Sequence, residues 1–94
     1  NVNYLYLQYM KDAIENVLNL VVKPKYPLVD EIVVREDNDF DYTTYLIYII
    51  SDKYEALNYQ NEIVKDIENV CKSMGLKRRD IENITFATKG IDYW

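Results

Sequence analysis

The chain has no histidine, one cysteine, two glycines and two prolines in 94 residues, and each shortage removes a class of function. Without histidine, the commonest acid–base catalyst near neutral pH is missing, as is the commonest nitrogen ligand for zinc. Cys71 has no second cysteine for an internal disulfide and no imidazole to activate it. So few glycines and prolines leave little material for a linker or a disordered arm. No apolar run approaches the roughly 20 residues of a membrane span, and the N-terminus lacks the basic region that opens a signal peptide. The expectation is a soluble intracellular protein, cytoplasmic or held within a virion or other assembly.

What remains is the composition of one small globular domain spanning residues 1–94. Hydrophobic residues make up 49% and charged residues 29%, enough apolar material for a single core. Ten tyrosines stand out, and a surface built for contact is one use for them. The net charge of −5 works against affinity for phosphate backbones or anionic lipid and favours a protein partner with a basic surface.

The stretch of residues 40–51, FDYTTYLIYIIS, is the richest in β-branched and aromatic residues and reads as a buried strand. Tyr42, Thr44, Leu46, Tyr48 and Ile50 share one face of it, and Thr43, Tyr45, Ile47 and Ile49 the other. Before it, residues 29–36 form a more exposed strand around Ile32, Val33 and Val34, and Asp37, Asn38 and Asp39 supply a hairpin turn. Residues 4–22 carry Leu7, Met10, Ile14, Val17, Leu18 and Val21 at helical spacing. Pro24 and Pro27 end that helix and make KPKYP a stiff, extended connector. After the second strand, Ser51 or Asp52 caps a helix running to about Met74, with Asp52 and Glu55 as a capping box and Gly75 as its left-handed stop. Its buried face is Ala56, Ile63, Ile67, Val70, Cys71 and Met74. Residues 82–89, ENITFATK, alternate as a third strand.

The order is helix-strand-strand-helix-strand. A hairpin followed by a helical crossover sets the third strand parallel to the second, which gives a two-layer α+β sandwich: a three-stranded sheet with two helices on one face. That order resembles the type II KH-like domains, and among them the ribosome-binding factor A family, over most of the chain. The resemblance implies contact with RNA or the ribosome. RNA-binding KH domains use a GXXG loop between two helices; here Gly75 has no second glycine three residues later.

Four features are candidates for function. Around the hairpin, Asp30, Glu31, Glu36, Asp37, Asp39 and Asp41 form an acidic cluster offset only by Arg35. Asp37-x-Asp39-x-Asp41 imitates the start of a calcium loop, but Tyr42 and Tyr48 stand where such a loop needs Gly and a bidentate Glu, so a solvated acidic turn is the reading and no metal or cofactor is called for. Lys77, Arg78 and Arg79 are the basic run; they complement a helix C-terminus or, in the KH-like alternative, contact RNA phosphates. Tyr93 and Trp94 end a tail too apolar to be left in water, which is expected to dock on its own sheet or anchor a partner. Cys71 lies on the apolar helix face as a core residue. No pair of carboxylates is brought into a pocket by chain order, so no catalytic residue is assigned. The reading is a non-enzymatic acidic interaction module, a regulator, inhibitor or assembly subunit that binds protein or associates with itself through Glu36, Asp37, Asp39, Asp41, Tyr45, Tyr93 and Trp94.

Overall fold

The computed structural model describes residues 2–39 and 42–89 of the backbone, and the side chains of residues 9–38 and 42–89. Helix α1 spans Val2–Val21, strand β1 Glu31–Asp39, strand β2 Tyr42–Ile50, helix α2 Gln60–Ser73 and strand β3 Ile81–Ala87. The sheet order is β1-β2-β3, with β2 antiparallel to β1 and parallel to β3. This is the expected α+β arrangement with the most apolar strand in the middle. A central strand has neighbours along both edges and layers to bury against, so apolar side chains on both of its faces cost least there.

The layers follow from alternation. Tyr45, Ile47 and Ile49 of β2 join Ile32 and Val34 of β1 on one face, and there they meet Ile14 and Leu18 of α1 and Ile63, Ile67 and Cys71 of α2. Both helices therefore share that face. Full burial of each isoleucine is worth about 2 kcal/mol, so these residues supply most of what holds so small a domain together.

Four local expectations are corrected. The acidic triplet Asp37, Asn38 and Asp39 is not the turn: β1 continues through it, pairing as far as Asp39 with Tyr42, and residues 40 and 41 lie outside the described residues. Antiparallel pairing of Asn38 with Thr43 is reinforced by the Thr43 hydroxyl donating to Asn38 Oδ1 at 2.6 Å. The connector after α1 is not extended throughout; Lys23–Lys25 form a 3-10 turn that Pro24 suits because its φ is preset. On α1 itself, Val22 is buried whereas Val21 is exposed, since Val22 follows Leu18 by four residues and so continues its stripe.

The fourth correction concerns the start of α2. Ser51 and Asp52 do not cap it. A 3-10 turn, Tyr54–Tyr59, comes first, and the helix begins at Gln60 without a side-chain cap. The polar side chains that would have capped are used to tie the strand ends together. Ser51 Oγ donates to Leu28 O at 2.6 Å and accepts from Lys53 N–H at 3.0 Å. Asp52 Oδ1 accepts from Lys89 N–H at 3.0 Å, and the Asp52 N–H donates to Asp30 Oδ2 at 3.2 Å. The other end is as expected: Leu76 N–H returns to Cys71 O and Gly75 N–H to Lys72 O, both at 3.0 Å, with Gly75 at φ 90°. That paired closure needs a left-handed residue, and glycine adopts it without strain.

The buried stripe of α2 yields a direct test. Ile67 is fully buried and Lys65 on the same helix is exposed. Ile67→Asp places an unpaired carboxylate in the core and is expected to unfold the domain, whereas Lys65→Ala shifts stability by less than about 0.5 kcal/mol. Circular dichroism melts of the two variants decide it, and equal losses contradict this packing.

Candidate interaction surface

The sheet has two edges, and they are treated differently. At the β1 edge, α1 lies alongside and replaces the missing strand with side chains. Asn19 Nδ2 donates to Ile32 O at 2.7 Å while Asn19 Oδ1 accepts from Ile32 N–H at 3.0 Å. One turn earlier on the helix, Glu15 Oε2 accepts from Val34 N–H at 2.8 Å. Residues four apart on a helix face the same way, so a pair at positions 15 and 19 reads two alternate residues of an extended strand. Three outward backbone groups of β1, Ile32 N–H and O and Val34 N–H, are thereby satisfied.

At the β3 edge nothing equivalent is present: among the described residues no strand lies beyond β3. With α1 drawn to the opposite edge, the three helix-facing side chains of β3, Ile81, Ile84 and Phe86, are only half-buried against the core. Between β3 and α2 runs a groove of about 920 Å³ whose floor includes Val64, Leu76, Ile81 and Ile84 and whose rim carries Lys72, Lys77, Arg78, Glu68 and Glu82. Strand β3 contains neither proline nor lysine, the residues that commonly blunt an exposed edge.

The candidates named from sequence fall in different places. Tyr45 is 4% exposed and belongs to the core, which removes it from any contact surface. It shares the helix-facing side with Ile47 and Ile49, so its polar tip was no guide to its position. Glu36 pairs with Tyr45 on that same side, half-buried, with Oε2 enclosed and lacking a hydrogen-bond partner among the described residues. Asp37 pairs with Thr44 on the opposite, helix-free side. The acidic hairpin is thus divided between both faces of the sheet by strand alternation instead of forming one patch. The side chain of Asp39 lies outside the described residues, as do Asp41, Tyr93 and Trp94. No group of three His, Cys, Asp or Glu residues able to hold a metal ion occurs among the described residues.

Lys77, Arg78 and Arg79 are exposed at the turn that enters β3. Acids are interleaved with them. Asp80 Oδ2 accepts from Lys77 N–H at 2.7 Å and Asp80 Oδ1 accepts from the Tyr42 hydroxyl at 2.9 Å, while Glu82 Oε1 accepts from the Thr44 hydroxyl at 2.8 Å. The open edge and its groove were missed by sequence reasoning. Alternation in residues 82–89 located the strand, but which strand is left at an edge, and which edge a helix covers, are long-range facts.

Four titratable groups have shifted proton affinities: Cys71, Tyr26 and Tyr42 are raised and so held protonated, and Asp66 is lowered. Cys71, beside the groove floor, is pushed up to about 11, first by burial and then by the neighbouring Glu68 carboxylate; it stays a thiol at neutral pH and is no nucleophile. Tyr26, on the connector, donates its hydroxyl to Asp66 Oδ2 of α2, and Lys25 Nζ reaches the same oxygen at 2.8 Å. That bond, followed by burial, raises Tyr26 to about 12, and the same two donors, Lys25 first, hold Asp66 below the usual carboxylate range.

No family model matches the chain, and no curated protein matches it in sequence. Among solved structures it is similar to a double variant of the MamM CTD, with a TM-score of 0.46 and 17% identity over 90% of this chain and 96% of that one. A copper form of the MamM CTD matches with a TM-score of 0.43 and 18% identity over 83% of this chain and 82% of that one. A cadmium form of a further MamM CTD variant gives 0.43 and 17% over 86% and 96%. At these identities the likeness concerns the fold alone.

Two measurements test the contacts. Asn19→Ala removes both bonds to Ile32 and leaves part-buried backbone groups unpaired, so it is expected to cost about 1–3 kcal/mol in a thermal or urea melt. The tyrosine contact predicts an alkaline limb. Its raised pKa means the folded state holds the phenol proton more tightly, so the contact stabilises fully below the ordinary value of 10.0 and is lost as pH rises through about 12. Asp66, being depressed, acts in the opposite sense, stabilising above the ordinary carboxylate value and losing its contribution as pH falls below it. Across the alkaline window the melting temperature of Tyr26→Phe is expected to fall less than that of wild type; parallel decline removes Tyr26 from the alkaline account.

Proposed function

We propose that this chain is a non-enzymatic protein-interaction module that receives an extended segment of a partner along the open edge of β3. The observation that carries the reading is the asymmetry of the two edges. Asn19 and Glu15 close one, while the other lies beside a groove with an apolar floor. An added strand gains main-chain hydrogen bonds from such an edge, and its alternate side chains enter the groove, where Ile81 and Ile84 offer apolar contact. The same addition would extend the shared helix-facing core by one strand.

Action by binding also agrees with the state of the polar groups. The thiol and the two phenols with raised proton affinities, Cys71, Tyr26 and Tyr42, favour their protonated, unreactive forms. The KH-like alternative, RNA contact through Lys77, Arg78 and Arg79, is disfavoured because Glu68, Asp80 and Glu82 lie among those cations and the chain carries a net charge of −5.

Affinity capture from the native source with wild type and Ile84→Lys checks the proposal. A lysine at this edge position blocks strand addition, so a protein retained by wild type is expected to be lost with the variant while circular dichroism reports an intact fold. Retention of the same proteins by both refutes the β3 edge as the docking strip. Gel shifts with single-stranded RNA at low salt are expected to show no complex; a salt-dependent complex lost on Arg78→Glu would favour the alternative.

A further inference from the structure

We propose that the helix-free face of the sheet is a docking surface for the segment of this same chain that follows β3, residues 91–94. The surface is a different one from the β3 edge, and the proposal does not depend on that edge being a docking strip.

Alternation builds the face. Ile32 and Val34 of β1 and Ile47 and Ile49 of β2 join the helices in the core, so Val33, Leu46, Tyr48 and Ile50 lie on the other side. Thr85 and Ala87 of β3 complete it as the register partners of Tyr48 and Ile50. A sheet face without a second layer leaves its side chains in water, because neighbours within the sheet flank a residue without roofing it. Here Ile50 is 0% and Val33 7% exposed, and neither belongs to the core shared with α1 and α2. Leu46 and Tyr48 beside them are half-buried. This burial arises within a single chain, so the roof comes from the chain itself.

The described residues do not supply it. Both helices lie on the opposite face. Asp52, Lys53 and Tyr54, which follow Ile50 closely, are exposed, and Leu28, Val29 and Ala56 line a cavity beside Ile63 of α2. With Asn19 at Ile32 and Glu15 at Val34, the earlier turns of α1 lead away from Ile50 toward the Asp39 end of β1. Asp39 and Tyr42, the neighbours of residues 40 and 41, pair at that same far end of the sheet. The segment after Lys89 is what remains.

Its starting point suits the task. Ala87 O accepts from Ser51 N–H at 3.0 Å, and Lys89 N–H donates to Asp52 Oδ1 at 3.0 Å, so the segment leaves the sheet beside Ile50. Five residues reach up to about 16 Å, enough to return across strands about 4.8 Å apart over Ile50, Val33 and Tyr48. Ile91, Tyr93 and Trp94 make the segment apolar. On β3 the face offers only the small Thr85 and Ala87 beside the larger Tyr48 and Ile50, a lower strip on which a ring can rest. So short a tether holds the segment at an effective concentration of roughly millimolar, which favours it over a free competitor.

Nuclear magnetic resonance of the full chain with labelled isoleucine and valine methyls tests the assignment, since Trp94 is the single tryptophan. Overhauser contacts from the Tyr93 and Trp94 rings to the Val33 and Ile50 methyls are expected. Trp94→Ala is expected to shift those methyl resonances and to leave Ile63 and Ile67 in place. Contacts to Ile81 and Ile84 instead would put the segment in the groove and overturn the proposal, as would an absence of contacts with Trp94 emitting as hydrated indole. A mixture of labelled and unlabelled protein separates the copies, and contacts between them would overturn an occupant held within one chain. Deleting residues 91–94 is expected to lower the melting temperature by more than about 4 °C, and an unchanged melt contradicts the docking. Ile84→Lys is expected to leave the Trp94 contacts intact, so failure at the β3 edge and failure at this face are read separately.

Discussion

The paired hydrogen bonds between Asn19 and Ile32 fix where α1 sits, and much else depends on that placement. Two helices share one face of a three-stranded sheet, and neither can be in two places. Because α1 is held at the β1 edge, with Glu15 extending the contact to Val34, α2 alone borders the side of β3. Its buried stripe, Ile63, Ile67 and Cys71, points into the core shared with β2. The result is a groove over β3 and an edge without a neighbouring strand among the described residues. A small domain has little surplus helix with which to close both edges, and this one closes the first with side chains that imitate a strand.

The polar residues divide into those that tie elements together and those left at the surface. Ser51, Asp52 and Asp30 hold the ends of the strands to one another, and Tyr26 and Lys25 tie the connector to Asp66 on α2. Such contacts between distant parts of the sequence are individually worth about 1 kcal/mol, so they matter less for total stability than for fixing register and angle. The alkaline rise of Tyr26 and the acid fall of Asp66 are two expressions of one contact. The charged residues that remain exposed, Lys77 to Arg79 above all, lie close to the β3 edge.

The amino-acid sequence by itself determined the element types, their order and the central position of β2. Those follow from local periodicity: three-and-four spacing in residues 4–22, β-branched alternation in residues 42–50 and 82–87, and a glycine after the second helix whose left-handed angle nothing else there adopts as easily. It did not determine that Asp52 serves a strand end instead of a helix start, since the competing donor, Lys89 N–H, is 37 residues away. Nor did it determine that Tyr45 is buried while Tyr42 on the adjacent face is 44% exposed: alternation names two faces but not which one the helices take. Only the packed structure decided which sheet edge is closed, because Asn19 and Ile32 are 13 residues apart and their meeting is a property of how α1 folds back over β1. The open edge of β3 is the complement of that event, and no run of residues within β3 records it.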